Sequence, residues 1–254
     1  MTDAPITLSI ESGLARLALN QPARGNPFDA AACREFGLLA NRLASRADVR
    51  AVLLTAQGKY FSVGGDLGLF SSDLDAAPAA VLDNTQSLHM GMARLARMNA
   101  PIVACVQGAA MGGAVAILAN CDLVYSARSA RFGAAYSHIG FTCDLGASYG
   151  LASRMGISRA KRFLLLGEVL EAAQAERVGL VDFVVDDAVL SKCAEQAAIR
   201  LGQAPQRHHG AVRRLLPRVL DRPLEVQLQD QMQELADMID APQANRGSVL
   251  QSTT

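Results

Sequence analysis

The order of strands, glycine-rich loops and helices between residues 50 and 125 constrains the fold most strongly. Residues 50–56 form a short apolar, partly β-branched run that predicts a buried strand, and a glycine-rich loop separates it from a helical pattern at residues 81–99. The same order returns with a strand at residues 102–107, a turn over GAAMGG and a short buried helix over AVAILAN, before a further strand over CDLVYSA. Two such units in succession predict an α/β fold.

The segments on either side of these units complete the pattern. Residues 6–20 are two apolar or alternating runs around a Glu-Ser-Gly turn, which predicts a hairpin. Asp29 is placed to cap the helix that follows, in which helical spacing is kept by Phe36, Leu39 and Leu43. From about residue 159 the chain reads as helical around one short strand over VDFVV, with a helix over LEAAQAERVGL before that strand.

The last predicted helix carries an apolar stripe that requires a partner surface, formed by Leu228, Met232, Leu235 and Met238. No repeat or low-complexity linker divides the chain. We therefore expect one continuous core at residues 1–195, followed by a C-terminal helical region at residues 196–254.

Charge and cysteine content exclude several classes of function. The chain has 24 basic and 24 acidic residues, so it lacks the positive excess typical of nucleic-acid binders. The five cysteines are scattered without a Cys-x-x-Cys pair, which argues against a metal or disulfide framework and favours a reducing cytoplasm. The first residues show no signal-peptide pattern, and no apolar run is long enough to span a bilayer.

The two glycine loops do not match nucleotide-binding motifs. FSVGGDL lacks the Gly-Lys-Ser/Thr ending of a phosphate-binding loop, and GAAMGGA does not fit the dinucleotide fingerprint. A single glycine pair after a strand is most often only a tight turn. Two loops that each present a backbone N–H could instead polarise one carbonyl oxygen together, as in an oxyanion hole.

Four segments together resemble the enoyl-CoA hydratase/isomerase (crotonase) family: NQPARGNPF, YFSVGGDL, APIVACVQGAAMGGAVAILANCDLV and AERVGLVDFVV. The similarity runs in the same order from about residue 6 to residue 240. It implies an α/β spiral of ββα turns, C-terminal helices used for trimerisation, and an acyl-CoA thioester as ligand. On this basis we expect a homotrimer or a dimer of trimers, with no nucleic-acid or membrane partner.

The resemblance also implies roles for particular residues. Gly65 and Gly113 match the positions whose amides form the family's oxyanion hole, and Gly113 is expected to begin a helix whose dipole favours negative charge on the thioester oxygen. Arg24 matches a basic residue offered to the phosphates of coenzyme A, although it could equally be a solvated loop arginine. The adenine would be held, mainly through backbone contacts, by the loop containing Val63, Gly65, Asp66 and Leu67.

Two departures from the family pattern bear on the reaction. The hydratases use two glutamates to hold the attacking water, and the matching positions here are Ala116 and Tyr136. Neither alanine nor a tyrosine of ordinary pKa can act as a carboxylate base at neutral pH. Hydration by the two-glutamate route is therefore not expected, and Tyr136 could either stack on the acyl group or simply fill the vacated space.

Because both glutamate positions lack a carboxylate, Asp144 is the candidate catalytic carboxylate. Related branches of the family have an aspartate here, which moves protons in isomerases and attacks the aromatic ring in chlorobenzoyl-CoA dehalogenases. Its apolar neighbours are expected to raise the pKa of Asp144, which suits a base acting next to a thioester. The alternative is that Asp144 only caps the helix that begins near Gly146.

The four histidines are weaker candidates. His89 lies at a distance from the oxyanion glycine similar to that of the histidine which assists ester hydrolysis in the dehalogenases, but a partly exposed helix residue is the simpler interpretation. His138 and the pair His208-His209 lack the partners of a catalytic or metal site and are expected near the surface.

We therefore expect an acyl-CoA isomerase that needs no metal or redox cofactor, with coenzyme A arriving as part of the substrate. Asp144 would carry a proton between carbons while the amides of Gly65 and Gly113 stabilise the enolate. The alternatives are a dehalogenase-like or hydrolytic enzyme, in which Asp144 is the nucleophile and His89 assists, and an acyl-CoA-binding protein without catalysis.

Overall fold

The structure is a computed structural model that describes residues 4–66, 68, 77–219 and 221–239. The strands in these residues are β1 (Ile6–Glu11), β2 (Leu14–Leu19), β3 (Ala51–Ala56), β4 (Ile102–Val106), β5 (Ala109–Met111), β6 (Leu123–Ala127), β7 (Arg131–Gly133), β8 (Val169–Glu171) and β9 (Phe183–Val185). The helices are α1 (Ala30–Ala44), α2 (Ala77–Ala96), α3 (Gly113–Ala119), α4 (Ala147–Met155), α5 (Ile157–Leu166), α6 (Ala172–Arg177), α7 (Leu190–Gln203), α8 (Gln206–Leu215) and α9 (Leu224–Ile239). The predicted α/β class is confirmed.

A six-stranded sheet forms the centre of the part of the chain that the structure describes, in the order β1-β2-β3-β4-β6-β9. The predicted hairpin is confirmed, since β1 and β2 pair antiparallel around a turn in which Ser12 and Gly13 both have positive φ angles. The other neighbours pair in parallel. Parallel strands present their carboxyl ends at one edge of the sheet, and the two glycine loops follow β3 and β4 there.

A second, three-stranded sheet corrects two sequence predictions. Residues 109–111 of the segment predicted as a turn form β5, which pairs in parallel with β7, and β7 pairs antiparallel with β8. The helix predicted over LEAAQAERVGL begins only at Ala172, because Leu170 and Glu171 belong to β8. Strands of three residues are too short to show an alternating pattern, so nothing local distinguishes them from turns.

Helices α1 and α2 pack closely, and this contact holds α2 beside the glycine loops. The predicted cap of α1 is confirmed, because the Asp29 carboxylate accepts a hydrogen bond from the Ala32 amide at 2.8 Å. Glycines allow the close approach: a Cβ at Gly37 would lie 2.7 Å from the Ser87 carbonyl oxygen, and one at Gly91 would lie 3.0 Å from the Phe36 ring. Larger residues at these positions would force the two helices apart.

The expected C-terminal helical region is present as α7, α8 and α9. Arg213 of α8 is nearly buried and connects this region to the core. It pairs with Asp122 and donates to the carbonyls of Leu95, in the last turn of α2, and of Met98 and Ala100 just after that helix. No helix in the described residues is long and apolar enough to cross a membrane. The division of the chain near residue 195 stays a prediction.

Candidate active site

The two glycine loops are joined through main-chain hydrogen bonds. The Ser62 amide donates to the Ala109 carbonyl at 3.0 Å, and the Met111 amide donates back to Ser62 at 3.0 Å. On the other side of the first loop, the Phe28 amide donates to the Gly64 carbonyl at 2.8 Å. These main-chain bonds do not depend on side-chain rotamers, and they join the two loops into one unit.

The amides of Gly65 and Gly113 have no acceptor among the described residues. Neither donates to any hydrogen bond found within the described part of the chain. Gly113 is the first residue of α3, as expected, so its N–H has no acceptor within the helix and lies at the positive end of the helix dipole. A Cβ added at Gly65 would meet nothing within 4 Å, which shows that this residue faces open space.

Asp144 lies beside the Gly113 end of this unit. A Cβ built on Gly113 would be 4.0 Å from Asp144 Oδ1, and the Tyr136 hydroxyl donates to the same oxygen at 3.2 Å. Burial raises the pKa of Asp144, and the hydrogen bond from Tyr136 is the largest effect that opposes this rise. The expected direction is confirmed, and the residue is a carboxyl group with increased affinity for a proton.

The capping alternative for Asp144 is wrong. Helix α4 begins at Ala147 with Gly146 as its N-cap residue, and no side chain caps it. The Asp144 side chain is instead committed to the Tyr136 hydroxyl. Leu145, between the acid and the cap, has a φ angle of 52° and donates its N–H to His89 Nε2 at 3.2 Å.

A cleft of about 190 Å³ connects these groups. Its walls include the predicted residues Val63, Gly65, Asp66, Gly113, Tyr136 and Asp144, together with apolar side chains such as Phe28, Leu88, Ile139 and Phe141. The candidate His89 does not line it, and neither do His138, His208 and His209. Ala116 is fully buried in α3 behind the cleft. Among the described lining residues, the carboxylates are Asp66 and Asp144.

Arg24 is close to the cleft, but its charge is already neutralised. Its guanidinium pairs with Asp29 and Asp66, each at 2.5 Å, and about half of the side chain is exposed. Arg24, Val63, Gly65 and Asp66 line a shallow depression of about 290 Å³ that adjoins the cleft. The structure therefore brings together the residues expected to bind coenzyme A, apart from Leu67, which lies outside the described residues.

Sequence reasoning missed the contribution of α2 to the cleft wall. Val81, Asn84 and Thr85 line the cleft together with Leu88. The signal was present in the sequence, because these residues recur at the three- and four-residue spacing of one helix face. Within the described residues, no group of three or more His, Cys, Asp or Glu side chains is arranged to hold a metal ion.

Known proteins are similar to this chain in sequence and architecture. The chain is 30% identical to the 1,2-epoxyphenylacetyl-CoA isomerase of Escherichia coli (strain K12), over 86% of this chain and 84% of that protein. It is 27% identical to 4-chlorobenzoyl coenzyme A dehalogenase-2 of an Arthrobacter species, over 95% and 88%. A crystal structure of a candidate enoyl-CoA hydratase from Thermobifida fusca YX, in complex with acetoacetyl-CoA, superposes with a TM-score of 0.86 at 26% identity and covers 94% of this chain and 96% of its own.

These similarities extend over nearly the whole chain and include the segments that form the glycine loops and the cleft. The sequence model of the family described as enoyl-CoA hydratase/isomerase matches residues 9–250. That range includes both glycine loops, Asp144 and the C-terminal helices. The chain therefore belongs to the enoyl-CoA hydratase/isomerase family and has its mixed α/β fold.

Proposed function

We propose that the protein is an acyl-CoA isomerase that shifts a double bond of an enoyl-CoA thioester between the 3,4 and 2,3 positions. The observation that carries the proposal is the position of Asp144, a buried carboxylate with a raised pKa beside the Gly113 amide. Such a group suits the removal of a proton from carbon and its later return. Coenzyme A enters as part of the substrate, and the reaction needs no metal or redox cofactor.

The proposed reaction conserves protons and electrons without a co-reactant. The Asp144 carboxylate takes a proton from carbon 2 of the 3-enoyl thioester, and the electrons of that C–H bond move onto the thioester oxygen. The amides of Gly65 and Gly113 would stabilise the resulting dienolate. The electrons then return, and the protonated Asp144 gives its proton to carbon 4, which leaves the double bond between carbons 2 and 3.

Hydration by two carboxylates has no support in the cleft. Ala116 has no ionisable group, and the pKa of Tyr136 is raised by burial and by the nearby charge of Asp144, so its phenol stays neutral. A neutral phenol that already donates to Asp144 does not bind water as a carboxylate base does. This favours proton transfer by Asp144 over addition of water.

The direct test incubates the protein with paired 3-enoyl and 2-enoyl CoA esters. We expect interconversion of the two esters, and chromatography separates them from any 3-hydroxyacyl product. Formation of the hydroxyacyl ester as the main product would overturn the proposal. Tight binding of the esters without turnover, across a panel of acyl groups, would instead support a binding protein.

A single turnover in heavy-oxygen water distinguishes proton transfer by Asp144 from the alternative in which Asp144 is a nucleophile. If Asp144 attacked the substrate, hydrolysis of the ester would place the label in its carboxylate, and mass spectrometry of the peptide would detect it. Proton transfer leaves this carboxylate unlabelled. We expect no label, because Asp144 in the proposed reaction takes up and returns a proton and forms no bond to carbon.

Changing Tyr136 to phenylalanine is expected to shift the pH dependence of the reaction. The Tyr136 hydroxyl donates to Asp144 and holds the pKa of that carboxyl lower than burial alone would set it. Without the hydroxyl the pKa rises further. Since the base must be ionised, activity is lost as pH falls through this pKa, and the acidic limb of kcat/KM should move to higher pH. An unchanged limb would show that another group is the base.

We also propose that copies of the chain associate through α9. Leu228, Met232 and Leu235, from the stripe predicted in the sequence, are 53%, 67% and 60% exposed in the single chain, and apolar rows of this kind are normally covered. The proposed assembly is a homotrimer or a dimer of trimers. Location in the cytoplasm stays a prediction.

Two glutamates on this face should weaken the association. We expect the double variant Met232→Glu/Leu235→Glu to elute with a lower mass than the wild type in chromatography with light scattering, because charge is costly to bury in an apolar interface. Gln229→Glu/Gln233→Glu adds the same charge at exposed polar positions away from this face of α9 and should leave the mass unchanged. A wild-type protein that is already monomeric would contradict the proposal.

A further inference from the structure

The main chain next to Asp144 is held in an unfavourable conformation. Leu145 has a φ angle of 52° and Gly146 one of 73°, so two consecutive residues are left-handed between the acid and α4. Glycine adopts this conformation freely, whereas a branched side chain such as leucine does so only when its surroundings impose it. Any change that releases Leu145 would therefore alter the direction in which Asp144 leaves the main chain.

Two contacts impose this conformation on Leu145. Its N–H donates to His89 Nε2 at 3.2 Å, and its buried side chain packs against Gly113, where an added Cβ would come within 2.9 Å of Leu145 Cδ1. His89 belongs to α2, the helix whose other residues line the cleft. The histidine thus connects the cleft wall to the turn that carries the acid.

The hydrogen bond from Leu145 also shows which imidazole nitrogen of His89 acts as the acceptor. Nε2 can accept an N–H only through its lone pair, so this nitrogen carries no proton in the observed hydrogen bond. With this lone pair occupied, His89 has no free basic nitrogen directed at the Leu145 end of the turn. Its geometry fits an acceptor that holds the main chain better than a group that activates water.

We propose that His89 is a positioning residue, which accepts the Leu145 amide and thereby orients the Asp144 carboxylate towards the thioester. This proposal rests on the function proposed above, since it assumes that Asp144 is the base. It assigns His89 no contact with the substrate and no proton transfer. An aligned base matters because a displacement of about 1 Å can cost roughly 100-fold in rate.

The test compares His89→Gln with His89→Leu in the isomerase assay. Glutamine offers an oxygen acceptor at a reach similar to that of Nε2 but cannot act as a base, whereas leucine fills the space without an acceptor. We expect His89→Leu to lower kcat about 10- to 100-fold with KM little changed, the range for a misaligned base. We expect His89→Gln to retain most of the wild-type kcat. Because His89 is exposed, neither change removes a core side chain.

Any other outcome for the two His89 variants would contradict the positioning role and would indicate a different one. Equal losses in the Gln and Leu variants would assign His89 a role in proton transfer. Wild-type behaviour of both would make it an ordinary surface residue. If His89 acts through Asp144, His89→Leu should also cause no further loss in an Asp144→Asn background, and additive losses would contradict this.

The Asp144→Asn variant distinguishes failure of the proposed isomerase function from failure of the positioning role of His89. Full activity of that variant would remove the proposed function itself, whatever the histidine variants do. An inactive Asp144→Asn variant together with a normal His89→Leu variant would leave the proposed function intact and refute only the positioning role.

Discussion

Replacing Asp144 by asparagine is expected to lower the isomerase rate roughly 10²–10⁴-fold, the range that a positioned general base contributes. Asparagine has nearly the same size and can still accept the Tyr136 hydroxyl, so the cleft should keep its shape. The amide cannot take a proton from carbon at neutral pH. We expect kcat to fall while KM for the CoA ester changes little, because the lost interaction acts in the transition state.

Exchange of hydrogen provides a second measurement of the same step. In heavy water the wild-type protein should introduce deuterium into the acyl chain at the carbons that lose and regain the proton, and mass spectrometry should find this exchange absent in Asp144→Asn. A matched control is Asp83→Asn, which removes the same charge from an exposed position of α2 outside the cleft. Wild-type turnover and exchange in the Asp144 variant would show that a different group moves the proton.

The parts of the fold with a local signal could be predicted from the sequence. The alternation of β1 and β2, the Asp29 cap and the helical spacing of α1 are each encoded within a few neighbouring residues, and all three are confirmed. The small sheet of β5, β7 and β8 has no such signal, because its strands are three residues long and come from distant parts of the chain. Its pairing depends on tertiary structure.

The residues of the candidate site could be predicted from the sequence, but the contacts between them could not. The family resemblance indicated which residues to expect around the acyl-CoA ligand, and six of them line one cleft. It did not indicate that Arg24 would pair with Asp66, 42 positions away, or that Tyr136 would donate to Asp144. Both follow from packing, since a nearly buried phenol requires a hydrogen-bond partner and an arginine between two carboxylates becomes paired.

The Gly113 amide can be removed by changing this residue to proline, which the backbone at the start of a helix accommodates. Gly113 is the first residue of α3, a position where proline is common because the N–H there has no acceptor within the helix. Proline also adds side-chain atoms, and a Cβ at this position would come within 2.9 Å of Leu145 Cδ1. Gly113→Ala carries the same Cβ and keeps the N–H, so it measures the steric part of the effect.

We expect Gly113→Pro to turn over the CoA ester roughly 10²–10³-fold more slowly than Gly113→Ala, the loss typical of one oxyanion-hole donor. Thermal unfolding of both variants controls for folding, and calorimetric titration with free coenzyme A, which has no thioester carbonyl, controls for binding. Equal rates in the two variants would mean that this amide does not stabilise the enolate. Of the proposed pair of amides, Gly65 alone would then be left to stabilise the negative charge that proton removal by Asp144 places on the thioester oxygen.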